Sequence, residues 1–193
     1  MTRSNLEVAS DFVHRWAALP KERRARLGKQ IPVAAVQVAA LSHPDMGMRR
    51  SCLFLLDHYA SDVSSDTFRL ALHDPVASVR ESALHGLACE TCRHEDICVP
   101  DVVTDLVEIL AFDRNPEVRH KSVAALARFV DRDDARAGEA IARSARHDPD
   151  PAIRAVAQTV MDSGQRHVRR RNAALRDARR ASRKTTAVVQ SPG

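Results

Sequence analysis

Apolar residues return every three or four positions along most of this chain, and short turns rich in Asp, Asn and Pro interrupt them. A period near 3.6 marks amphipathic helices rather than strands. Four stretches share one pattern: "HPDMGMRRSCLFLL", "HDPVASVRESALHGL", "FDRNPEVRHKSVAAL" and "HDPDPAIRAVAQTVM". Each opens on a polar turn, then gives an apolar residue, an arginine and a helical apolar run. The aligned arginines are Arg49, Arg80, Arg119 and Arg154, separated by 31, 39 and 35 residues. Met48, Val79, Val118 and Ile153 precede them, Cys52, Ala83, Ser122 and Ala157 follow three later, and Leu56, Leu87, Leu126 and Met161 seven later. These offsets trace one helical face and predict the core side of each helix. Asp45, Asn115 and Asp150 suit its N-cap, and Pro75 and Pro116 its start. Asp74, Asp113 and Asp148 recur six residues before the arginine. A planar arginine fork suits such carboxylates, so a structural pair between neighbouring turns outweighs an anion-binding ladder.

Second apolar helices lie between these. "SSDTFRLALHD" offers Phe68, Leu70, Ala71 and Leu72. "VPDVVTDLVEILAFD" offers Val99, Val102, Val103, Leu106, Val107, Ile109 and Leu110. "DARAGEAIARSARHD" offers Ala137, Ala140, Ile141 and Ala145. Each repeat is therefore a helix pair.

The repeats "DPVASVRESALHGL" and "NPEVRHKSVAALARF" resemble the HEAT repeat family, in particular its short bacterial form, over about residues 43–162. The resemblance implies an all-α fold, an α-solenoid of stacked antiparallel helix pairs whose concave face binds partners. It implies a scaffold, not a chemistry. The first helices, "NLEVASDFVHRWAAL" and "KERRARLGKQ-IPVAAVQVAALSH", lack the Asp-Pro turn. The expected organisation is an N-terminal helical cap (1–42), HEAT-like repeats (43–163), a basic C-terminal helix (164–184) and a disordered tail (185–193).

Composition sharpens this. Aromatics make up only 4% of the chain, with one Trp and one Tyr, so Ala, Val and Leu must fill the core, which suits close-packed helices. No run is long and apolar enough to span a bilayer, and no secretory h-region opens the chain, so a cytoplasmic protein with reduced thiols is expected. The net charge of +5 is uneven: residues 164–184 carry nine Lys/Arg against Asp177, and the remainder is −3. A polyanion argument then rests on the tail, through Arg166, Arg169, Arg170, Arg171, Arg176, Arg179, Arg180, Arg183 and Lys184. No aromatic interleaves with them, so base stacking is not on offer there. There is no phosphate loop or nucleophile elbow, and His-Glu, which binds di-iron in one hydroxylase family built on HEAT helices, occurs only at His94-Glu95 in a loop. The expected function is a non-catalytic adaptor that binds another protein through the solenoid surface. Nucleic-acid binding through the basic helix is the alternative.

The cysteines divide into two kinds. Cys52 holds a core offset of the repeat. Cys89, Cys92 and Cys98 fall in the longest interval between arginines, an enlarged turn, spaced C-x2-C-x5-C, with His94 inside the stretch and His85 one helical turn before it. Three readings stand: a loop with free thiols, a structural zinc held by the three cysteines and His94 or His85, or a redox pair at Cys89 and Cys92, against which the negative end of the preceding helix argues. Elemental analysis of the purified protein tests the zinc. Structural zinc gives close to one equivalent; less than about a tenth of an equivalent, with all three thiols titratable, removes the metal.

Overall fold

The computed structural model describes residues 3–60, 63–88, 102–131 and 134–164, in two compact units, 1–126 and 127–193. Every regular element among the described residues is a helix apart from one 3-10 residue, Val63. The first unit holds α1 (Asn5–Ala17), α2 (Lys21–Gly28), α3 (Val33–Ser42), α4 (Met46–Tyr59), α5 (Ser65–Ala71), α6 (Ala77–Ala88) and α7 (Val102–Phe112). Helix α8 (Pro116–Asp131) begins in the first unit and ends in the second, which also holds α9 (Ala135–His147) and α10 (residues 151–164).

The helix ends follow from local chemistry. Ser4 and Glu7 form a capping box on α1: the Glu7 amide donates to Ser4 Oγ at 3.3 Å, and the Ser4 amide donates to Glu7 Oε2 at 2.8 Å. Asp45 Oδ1 accepts the Met48 amide at 2.7 Å, Asn115 Oδ1 accepts Glu117 and Val118, and Asp150 Oδ1 accepts Ala152. Pro116 opens α8, where its missing N–H costs nothing. Pro75 falls just outside α6 instead.

The repeat offsets become the core. Val79, Val118 and Ile153 are buried, as are Met48, Cys52, Ala83, Ala157, Leu56, Leu87 and Leu126. Ser122 is equally buried because its hydroxyl donates to Leu106 O at 2.6 Å. Met161, near the end of the last described helix, is only half-buried. Of the second helices, α7 buries Val102, Val103, Leu106, Ile109 and Leu110 as its pattern predicts, and Val107 is half-buried. Helix α9 buries Ala137, Ala140 and Ile141, with Ser144 deeper than Ala145. Helix α5 corrects one expectation: Phe68, Ala71 and Leu72 are buried, but Leu70 is 60% exposed, because a two-turn helix presents only one narrow stripe.

In the first unit α3 packs on α4, α5 on α6, and α4 on α6. Small residues allow close approach: Ala35, Val36, Ala39 and Ala40 line the buried side of α3. Gly86 lets the Phe68 ring lie directly on α6, and a Cβ there would overlap that ring.

The recurring arginines hold the turns. Arg49 gives Nε and Nη2 to the two carboxylate oxygens of Asp74, at 2.7 and 3.0 Å, and Arg80 does the same to Asp113, at 2.7 and 2.7 Å. Each arginine also turns Nη1 back to the carbonyl six residues earlier: Arg49 to His43, Arg80 to Asp74, Arg119 to Asp113 and Arg154 to Asp148. The aspartates serve twice, since Asp74, Asp113 and Asp148 each accept the amide two residues on. His43 holds the equivalent place in the first turn. Its Nδ1 accepts the Asp45 amide at 3.1 Å, so the turn keeps its shape without a charge.

Burial raises the Asp113 carboxyl, but hydrogen bonds from Arg80 and from the Asn115 amide outweigh it and hold that carboxyl below its ordinary value. Arg80 is correspondingly held above its ordinary value by Asp113. A carboxyl depressed in the fold stabilises above its unfolded value, and that stability is lost as pH falls through the folded one. Asp113→Asn should therefore cost about 2–3 kcal/mol at neutral pH, with the deficit shrinking on acidification. Urea unfolding at pH 7 and near pH 3 checks this; a deficit that stays constant with pH would contradict the account.

Candidate interaction surface

The arginine ladder is not a free anion site. Arg49 is buried against Asp74, and the Arg80 fork is closed on Asp113. Cys52 sits where its offset places it, fully buried, and burial pushes its thiol up to about 12, so it is an inert core residue. Cys89, Cys92, Cys98 and His94 lie outside the described residues, as do residues 166–184 with Arg166, Arg169, Arg170, Arg171, Arg176, Arg179, Arg180, Arg183 and Lys184. His85 is described, in the last turn of α6. Among the described residues no three His, Cys, Asp or Glu side chains form a metal-binding group.

Sequence reasoning passed over one surface. Trp16, the chain's one Trp, meets both Phe54 and Tyr59 where α1 and α2 approach α4. The ring centroids of Trp16 and Phe54 are 5.6 Å apart, and those of Trp16 and Tyr59 are 6.5 Å apart, edge to face. Arg24 lies over Trp16 at 5.0 Å, fixed there because Nε donates to Leu19 O and Nη2 to Ala17 O. Trp16 Nε1 in turn donates to Arg24 O at 3.2 Å. Tyr59 covers Gly28 at the end of α2, and any side chain at that position would displace the ring. Phe54 stacks on His58 at 4.0 Å yet remains 44% exposed. One turn earlier, Arg50 is exposed, and it lines a groove of about 440 Å³ with Gly47, Ser51, Phe54 and Ser82. The run "KERRAR" on α2 was visible in the sequence. Its neighbour Phe54 was hidden in "CLFLLD", which reads as uniform core.

Beneath this surface lies Asp57. It is 2% exposed, and neither carboxylate oxygen has a hydrogen-bond partner among the described residues. His58 Nδ1 and His85 Nε2 stand 3.5 and 3.6 Å from Oδ2, beyond good hydrogen-bond length, and His58 Nδ1 is 3.0 Å from Phe54 O. A second groove, of about 590 Å³, runs along the α5–α6 and α7–α8 turns, where Phe112 is 79% exposed.

Comparison with protein families matches residues 65–162 to HEAT repeats. That span starts at the first residue of α5 and runs into α10, over half of the chain, and the chain belongs to the HEAT repeat family. It is an all-α protein of the α-solenoid class. Neither a comparison with curated proteins nor one with solved structures gave a match. No described helix is long and apolar enough to cross a membrane.

A buried carboxylate without hydrogen bonds is a cost to the fold. Asp57→Asn, which keeps the shape and removes the charge, should leave stability unchanged or raise it by up to about 1 kcal/mol. Thermal unfolding of the variant measures this. A large drop in Tm would show that the histidines hold the carboxylate more tightly than these distances imply.

Proposed function

We propose that this protein is a non-catalytic adaptor that binds another protein through the surface of its helical repeats. HEAT repeats are generally protein-interaction scaffolds, and the chain belongs to them. The observation that carries the reading is where the aromatic residues lie. The core is built almost wholly of aliphatic side chains, while Trp16 and Phe54 sit at or near the surface beside Arg24 and Arg50. Trp, Tyr and Arg are the residues that most often anchor protein interfaces. Nucleic-acid binding is the second reading, and the nine cations of residues 166–184 favour it.

Affinity purification from the native host, using the full chain and a chain ending at residue 164, tests both. The adaptor reading expects a protein partner retained by the shortened chain, after nuclease treatment, at about 0.15 M salt. Retention of nucleic acid alone, lost with the tail and lost steeply with salt, favours the second reading instead. A chain that retains neither has no support as an adaptor.

A further inference from the structure

We infer that the surface formed by Arg24, Trp16, Phe54 and Arg50 docks an acidic segment of the partner protein, with a carboxylate on Arg50 and an apolar side chain against Phe54. The inference rests on the adaptor reading and names the chemistry of the partner.

Charge is the first argument. Residues 15–29 carry Arg15, Lys21, Arg23, Arg24, Arg26 and Lys29 against a single acid, Glu22. Arg50 adds a further exposed cation. Among the described residues no carboxylate pairs with any of these seven, in a molecule where Arg49 and Arg80 are tightly paired. Glu81, across the groove on α6, is taken by Lys121. Asp57, close by in sequence, is sealed beneath the surface. Asp45, beside Gly47 at the groove's edge, accepts the Met48 amide through Oδ1. The cations of this surface therefore lack a carboxylate partner among the described residues, and an acidic segment supplies one.

Shape is the second. Gly47, Ser51 and Ser82 leave the α4–α6 groove shallow in side chain, and Arg50 and Phe54 rise from it. Phe54, 44% exposed, supplies the apolar side chain of the groove, and Met46, 44% exposed, stands beside Gly47 at the start of α4. An apolar residue flanked by Glu or Asp fits both features, and the arginine fork can grip a carboxylate with two hydrogen bonds.

The rings argue against nucleic acid as the occupant. Stacking needs free aromatic faces. Arg24 takes one face of Trp16 and His58 one face of Phe54, so the two rings do not form the open platform on which successive bases stack.

Trp16, the chain's one tryptophan, reports on this surface alone. The full chain is titrated with a random Glu–Leu copolymer while Trp16 emission is followed. Poly-Glu, single-stranded DNA and duplex DNA serve as comparisons. The copolymer should shift the emission saturably and bind more tightly than poly-Glu. Arg50→Glu should weaken it at least about tenfold and Phe54→Ala several-fold, with circular dichroism unchanged. Replacing the nine cations of residues 166–184 by Gln should leave the shift in place. No Trp16 response, a response that Arg50→Glu leaves intact, or a stronger response to DNA overturns the inference. The adaptor reading fails separately: a captured protein partner that Arg50→Glu still retains sinks the docking surface and leaves the adaptor standing.

Discussion

The bidentate pair between the arginine of one turn and the aspartate of the next is the contact on which the rest of this fold depends. Helix packing alone is permissive, because apolar faces slide and rotate with little penalty as long as area stays buried. The arginine fork is not. Arg80 must reach two oxygens of Asp113 with Nε and Nη2 while Nη1 returns to the carbonyl of Asp74. One planar group thus fixes its own turn, the next turn and the distance between them. These pairs are mostly desolvated, so removing one partner leaves a buried charge and costs more than the pair itself contributes. Their value lies in register, and the aliphatic core fills in around a frame they have set.

That frame was legible because every part of it recurs. Arginine spacing, the apolar offsets and the upstream aspartates repeat at a fixed register, and repetition separates signal from composition. The register implied a pair between neighbouring turns, and the structure assigns the partners, Arg49 to Asp74 and Arg80 to Asp113. The surface at Trp16 was not legible, because it is built once. Its residues come from three helices, α1, α2 and α4, and nothing in the sequence spacing links Trp16 to Phe54. Phe54 itself lies in an apolar run where the exposed position differs from its neighbours only by helical phase. Asp57 was missed for a related reason. A carboxylate in "FLLDHY" reads as the polar side of a helix, yet the structure turns it inward. The cysteine stretch and the basic tail were singled out from sequence, and both lie outside the described residues.

A division of labour follows. Repeated residues supply the scaffold, and residues that break the repeat supply its individuality. Arg49, Arg80 and their aspartates are committed to structure, whereas Arg24, Trp16, Phe54 and Arg50 do little for the core and lie at or near the surface. The single Tyr bridges the two roles: Tyr59 clamps α2 through Gly28 and closes the aromatic group from behind.

His43 gives the ladder a direction. It holds the place that Asp74, Asp113 and Asp148 hold later, and it accepts the same turn amide, but it offers no carboxylate to an incoming arginine. At the other end, Arg154 anchors its own turn and has no carboxylate partner among the described residues. The carboxylates of the ladder therefore begin at Asp74, and the turn before it keeps the same backbone shape with an imidazole nitrogen where the later turns use an aspartate oxygen.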